Sequence, residues 1–300
     1  MTTPAAEHAD SDDHPARRMP GPWRTTLGEL TLTHLPDSGV YMIPPKVYPA
    51  TAERDWDDER RHRTEDGFLA MGCGALLVER GSTRLLIDAG HGRISGNEVQ
   101  DFQDRFEHVR YLPDTLADLG VAPADIEHVA FTHLHPDHTG WARPDATDDG
   151  RGLFPAARWM LGRGEWAEAE SGAEPALAGG VDRVLTVDDG AEVVPGVRAW
   201  ALPGHTPGHT AWVLDTGDGR EVVAFGDALH SPAQVRHPDW EVLLDADGEL
   251  AERSRRRLVE RLGRDDVLGF GLHFADQQLG RVERGQWSPH PVTALRDLPS

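Results

Sequence analysis

Thr132-His133-Leu134-His135-Pro136-Asp137-His138-Thr139-Gly140 places three imidazoles and one carboxylate within six positions. On an extended backbone His133 and His135 alternate to the same side, so the two rings converge on one point. Beyond Pro136 the chain turns, and Asp137 and His138 offer a carboxylate oxygen and a ring nitrogen to a second point close by. This is a two-metal arrangement in outline. A polar surface loop with accidental histidines would not be expected to gather four ligand-type side chains at these spacings.

The residues around this stretch say where it sits. Ile126 to Thr132 is rich in β-formers and ends directly in His133, which predicts a histidine cluster in the loop at the carboxyl end of a strand. Three later runs repeat the pattern. Gly196 to Pro203 ends near His205, Glu221 to Gly226 ends at Asp227, and Asp266 to Leu272 ends at His273. Upstream, Gly28 to Pro45 alternates apolar and polar residues, and Ala75 to Asp88 reads as two strands joined at Gly81-Ser82. Leu112, Leu116 and Leu119, with Pro113 early and Gly120 as terminator, predict a helix. Glu249 to Leu262 predicts another, with Leu250, Leu258, Val259 and Leu262 inward and Arg253 and Arg255 to Arg257 on its solvated side. Tyr48 to Gly67, with seven charged residues between Asp55 and Arg63, reads as an exposed excursion that either covers one face of the site or is a solvated loop.

Composition narrows the function. The net charge of -21 belongs to the body of the chain rather than its start, and an acidic body repels phosphate backbones. A neutral or weakly charged small-molecule substrate is the expected partner, with no nucleic acid and no membrane. The single cysteine, Cys73, excludes an internal disulfide and a thiolate-rich metal site, and it reads as a small buried hydrophobe. Residues 1–20 lack the apolar core of a signal peptide and read as a disordered tail, leaving 21–300 as one domain in the cytoplasm.

His-x-His-x-Asp-His at positions 133–138 resembles the signature of the metallo-β-lactamase-fold hydrolases, and four further elements follow the family's order. Leu86-Ile-Asp88-Ala-Gly90 is similar to the motif whose aspartate orients a metal-binding histidine. Pro203-Gly-His205-Thr-Pro-Gly-His209-Thr is similar to the motif whose first histidine is a ligand. Phe225-Gly-Asp227 is similar to the motif whose aspartate bridges the metals, and Gly271-Leu-His273-Phe274 to the one carrying the last histidine. The resemblance implies an α/β fold of the αββα sandwich type. It also implies one metal on His133, His135 and His205, a second on Asp137, His138 and His273, Asp227 spanning both, and a hydroxide bridging them. Asp137 and Asp227 are the residues to which it gives catalytic parts; a homodimer is compatible with it.

Two divalent ions roughly 3.5–4 Å apart make a nucleophile of a shared water and polarise the bond under attack. Zinc is favoured, because the donors are imidazole and carboxylate without thiolate; iron, manganese or cobalt would also fit. The expected reaction is hydrolysis of an ester, lactone or phosphotriester-like bond. Gly226 to Val235 and Leu279-Gly-Arg281 resemble the lactonase and methyl-parathion-hydrolase-like branch, and more closely the second group. The lactonases place a tyrosine near the site, whereas Tyr41, Tyr48 and Tyr111 fall in no matching motif. A mononuclear iron oxidoreductase of the same fold, using part of the ligand set, is the alternative. Of the remaining candidates, His209 reads as structural, and Trp141 as core ahead of pocket. His230 and His91 read as flanking or substrate-facing groups, or as surface.

Overall fold

Period-two alternation along the strands assigns one set of side chains to each face of a sheet, and here both faces are buried. The computed structural model describes residues 17–93, 101–170, 177 and 181–297. On β3, Leu76 and Val78 point to the interface between two sheets, while Ala75 and Leu77 point to an outer layer. The first sheet contains β1 (Trp23–Leu27), β2 (Leu30–Met42), β3 (Leu69–Arg80), β4 (Thr83–Ile87), β5 (Gln103–His108), β6 (His128–Ala130), β7 (Arg158–Gly162) and β8 (Val184–Val187). The second contains β9 (Glu192–Val194), β10 (Val197–Ala201), β11 (Thr210–Asp215), β12 (Glu221–Ala224), β13 (Val267–Phe270), β14 (Leu279–Glu283) and β15 (Gln286–Pro289), after which β16 (Thr293–Ala294) returns to β1. Strand order is β16-β1-β2-β3-β4-β6-β7-β8, with β5 against β2, in the first sheet, and β15-β14-β13-β12-β11-β10-β9 in the second.

The helices are α1 (Pro44–Val47), α2 (Leu112–Asp118), α3 (Pro136–Thr139), α4 (Arg163–Glu170), α5 (Ala233–Arg236) and α6 (Gly248–Leu262). Between the sheets Leu30, Leu32, Leu85 and Ile87 meet Trp212, Leu214, Val222 and Phe270. Outside the first sheet α2 lays Leu112 and Leu116 on Leu77, Leu86 and Trp159. Outside the second, α6 lays Leu258 and Leu262 on Val213, Val223 and Val267. Each such leucine contributes about 1.5–3 kcal/mol by leaving water. The layers are therefore helix, sheet, sheet, helix, the αββα sandwich expected.

Several local expectations are met and several shift. The β3–β4 hairpin turns at Gly81-Ser82, with Arg80 opposite Thr83 and Gly81 at φ +58. α2 is closed by Gly120 at φ +66. β6 is shorter than the Ile126 to Thr132 run, because the Thr132 N–H donates to the Asp88 carboxylate at 2.8 Å instead of to a strand. On α6 the buried face is Ala251, Ser254, Arg255, Leu258 and Leu262, so Arg255 is not on the solvated side. The excursion forms a 3-10 segment, Glu53–His62, whose Trp56, Glu59 and His62 are buried. Trp56 packs on Tyr48 and Trp240, and Glu59 accepts from Arg236 at 2.6 Å, so this face is docked onto the chain that follows Asp227 and is not a solvated loop. Of the expected tail, residues 1–16 lie outside the described residues, while Arg17 and Pro20 are buried, so the packed chain begins before residue 21. Among the described residues no helix is long and apolar enough to cross a membrane.

Candidate metal centre

Strand ends deliver the site. His133 and His135 follow β6, Asp137 and His138 open α3, His205 lies between β10 and β11, Asp227 follows β12 and His273 follows β13. The turn into Asp227 depends on Gly226, at φ +47. A Cβ there would fall 2.6 Å from the Thr132 side chain, so no other residue brings the two loops this close.

The two oxygens of Asp227 face different groups. Oδ2 lies 3.3 Å from His205 Nε2 and 3.6 Å from His133 Nε2, and His135 Nδ1 is 3.0 Å from His205 Nε2. Oδ1 lies 3.1 Å from His138 Nε2 and 3.0 Å from His273 Nε2. Asp137 Oδ2 stands 3.6 and 3.7 Å from those same two nitrogens. All seven sequence candidates are thus brought together, in two groups on either side of one carboxylate.

Four imidazoles are held with Nε2 inward by a partner on Nδ1, His133 among them through the Thr132 hydroxyl at 3.1 Å. His138 Nδ1 contacts Asp88 Oδ2 at 2.9 Å, His273 Nδ1 donates to the Gly72 carbonyl at 2.7 Å, and His205 Nδ1 contacts Asp245 Oδ1 at 3.1 Å. Such partners on the far nitrogen fix the tautomer and the ring plane of a metal ligand. Asp88 adopts φ +59, an unusual backbone for a non-glycine residue, and is held there while also accepting from Thr132 N and Oγ1.

The donor set fits a cation. His133 Nε2, His138 Nε2 and Asp227 Oδ1 are buried without a hydrogen-bond partner, although ring nitrogens and oxygen lie close together. Burial alone raises the Asp227 carboxyl, but His273, His138, His230 and His133 outweigh it and hold it well below the usual carboxylate range. Burial lowers His138, and Asp227, Asp137 and Asp88 more than offset that, raising it well above the ordinary imidazole value. Burial pushes His133 well down. A buried carboxylate ringed by imidazole nitrogens, with Nε2 of His133 and of His138 lacking a hydrogen-bond partner, is a polar cluster short of a positive centre.

A match to the Metallo-beta-lactamase superfamily model covers residues 70–268, from β3 to β13. The chain belongs to this superfamily. It is a metal-dependent hydrolase of the superfamily, as its relatives are hydrolases. An N-acyl homoserine lactonase of Bacillus sp. is 28% identical over 229 residues, spanning 71% of this chain and 84% of the relative. A probable metallo-hydrolase of Mycobacterium tuberculosis is 30% identical over 190 residues, spanning 54% of this chain and 58% of its own. Among solved structures, AidC, a dizinc quorum-quenching lactonase in complex with a product, superposes with a TM-score of 0.74 at 21% identity, covering 91% of this chain and 98% of its own. That likeness carries the fold of the superfamily.

Residues that the sequence reading passed over complete the site. Asp245 Oδ2 takes the Arg255 guanidinium at 2.8 Å, with both side chains buried, so Arg255 backs the carboxylate that orients His205. Glu165 Oε1 accepts the Leu134 N–H at 2.8 Å and its Oε2 accepts the Thr206 hydroxyl at 2.6 Å, tying the His133–His135 loop to the His205 loop. No motif marks Glu165 or Asp245; Arg255 had a signal, since it shares a helical face with Leu258 and Leu262. His209 accepts the Asp227 N–H through Nε2. His230 is buried, with Nε2 3.1 Å from Asp227 Oδ2 and its ring stacked on His273. Trp141 is core, donating to Asp37 at 3.0 Å, and His91 offers its backbone N–H to the same carboxylate. Tyr48 is buried and donates to Ser231 Oγ at 3.1 Å.

Because Glu165 clamps two ligand loops without facing the centre itself, Glu165→Ala is expected to weaken metal affinity by roughly 10–100-fold. Glu165→Gln, which retains an acceptor, is expected to recover much of it. Competition against a chromogenic chelator checks this, and equal affinity in all three proteins would remove the clamp from the account.

Proposed function

We propose that this protein hydrolyses the ester bond of a small neutral lactone, using two divalent ions, zinc by preference. One is held by His133, His135 and His205, the other by Asp137, His138 and His273, and Asp227 is shared. The observation that carries this reading is the division of Asp227, one oxygen toward each group. When bound, such a pair of ions lowers the pKa of water toward neutrality and polarises the carbonyl under attack.

The chain's own groups supply the rest. Asp227 sets the spacing of the two groups, held from behind by the His209 ring on its N–H. Asp88, Gly72 and Asp245 keep His138, His273 and His205 turned with Nε2 inward, so that no ring must reorient during turnover. Burial alone raises the Asp137 carboxyl, but His138 and His273 hold it below its ordinary value, as a carboxylate. Its side chain is 30% exposed against 5% for Asp227, which makes Asp137 the carboxylate on the open side, placed to take a proton from the attacking water and return it to the departing alkoxide. The lactone assignment draws on the Bacillus relatives; the acidic body and the absence of any cationic patch in the motifs favour an uncharged substrate over a phosphate ester. A single-iron oxidoreductase would need only part of this ligand set, and both groups are complete.

Elemental analysis of protein expressed without added metal, joined to initial rates on lactones, aryl esters and an organophosphate triester, tests the reading. About two zinc ions per chain with lactones turned over fastest is the expected result. About one iron with no hydrolysis would replace it with the oxidoreductase.

A further inference from the structure

Cys73 lies on β3, one residue beyond the Gly72 carbonyl that orients His273. Its side chain is buried, and its sulfur is 3.8 Å from Asp137 Oδ2. The sulfur, an Asp137 oxygen and a His273 nitrogen all lie within 4.8 Å of one another. Two donors on one ion, sulfur at about 2.3 Å and oxygen at about 2.1 Å, stand at most about 4.4 Å apart, so the observed gap to Asp137 is within reach of one shared ion. Independently of the cysteine, His138 Nε2 is fully buried, has no hydrogen-bond partner, and points to the same Asp137 oxygen from 3.6 Å. The sulfur thus groups with Asp137 and His273, and His138 approaches the same Asp137 oxygen from its own side.

We propose that Cys73 is a latent thiolate ligand of the metal position at Asp137, His138 and His273, recruited by soft divalent ions. On coordination the thiol proton leaves to solvent and a sulfur–metal bond forms, with no change of oxidation state. The consequence is an asymmetric centre. The position on His133, His135 and His205 has nitrogen and carboxylate donors only, whereas its neighbour can add sulfur and so takes cadmium, or cobalt as a reporter, in preference. The seven ligand-type residues read from the sequence do not include this donor, because Cys73 is distant from all of them along the chain and only the closeness of β3 to α3 brings it in.

The inference rests on the two-metal reading, and one experiment separates their failures. The metal-free protein is titrated with cadmium, counting bound ions while recording the ultraviolet thiolate-to-metal charge-transfer band and the X-ray absorption fine structure. Cys73 is the only cysteine in the chain, so a thiolate band can come from no other residue. Two ions per chain with one sulfur scatterer, and with the band gone in Cys73→Ser, is the expected result. Two ions with nitrogen and oxygen scatterers alone would overturn the thiolate ligand and leave the dinuclear site standing. One ion with the band would keep the ligand and overturn the pair, and one ion without it would overturn both. The wild-type spectrum decides the matter even if the Cys73→Ser protein fails to fold.

Discussion

Asp227→Asn is expected to lower kcat/KM by roughly 10³-fold or more, equivalent to about 4 kcal/mol of transition-state stabilisation. The substitution keeps the shape of the side chain and changes two things. It removes the negative charge that four imidazoles now hold well below the ordinary carboxylate range. It also replaces one of two oxygens by an amide nitrogen, which must face either the His133 and His205 side or the His138 and His273 side, and cannot accept there. Bound metal is therefore expected to fall from about two ions per chain to one or fewer, and added metal should not restore the rate. Metal content, rates and a far-ultraviolet circular dichroism spectrum taken on the same preparation check this. Two retained ions with a rate within about tenfold of the parent would remove Asp227 from its shared position.

Arg255→Ala is expected to cost about 3–5 kcal/mol of folding stability, the range for breaking a buried ion pair from one side. The arginine and Asp245 have side chains only 1% and 0% exposed, so the truncation leaves an interior carboxylate without its guanidinium partner. Burial raises Asp245, and His205, His230 and Arg255 together pull it down to about 2. Urea unfolding measures the loss. The double variant Arg255→Met with Asp245→Leu is expected to regain a large part of the stability, since an apolar pair of similar size replaces two desolvated charges. It should nevertheless bind metal more weakly than the parent, because His205 has lost the partner on Nδ1. A double variant that recovers metal affinity along with stability would show that Asp245 acts on the fold alone.

Individual strands and helices were legible in advance because their signals are local, while their arrangement as a sandwich was implied by the family resemblance. Alternation on β2 and β3, the Gly81-Ser82 turn and the α2 stripe are each set by a few neighbouring residues, and each appears where the pattern puts it. The observed departures have equally local causes. β6 stops early because the Asp88 side chain competes for the Thr132 N–H. The charged excursion docks because Trp56 and Glu59 fall on one face among residues that otherwise favour water.

By itself the sequence determined the donors that are close along the chain. His133, His135, Asp137 and His138 are held together by covalent spacing; His205, Asp227 and His273, far apart along the chain, were marked by their places at strand ends, and their roles, with the orienting role of Asp88, were implied by the family resemblance. Only the tertiary structure decided what stands behind them. Glu165 joins loops about Leu134 and Thr206 that are far apart in sequence, Asp245 meets His205 across 40 positions, and Cys73 meets Asp137 across 64. Arg255, Arg256 and Arg257 are chemically alike, and it is the angle at which α6 seats Leu258 and Leu262 on the sheet that buries the first of them. Side chains of one type acquire different roles when packing, which sums many weak contacts over the whole chain, settles which of them turns inward.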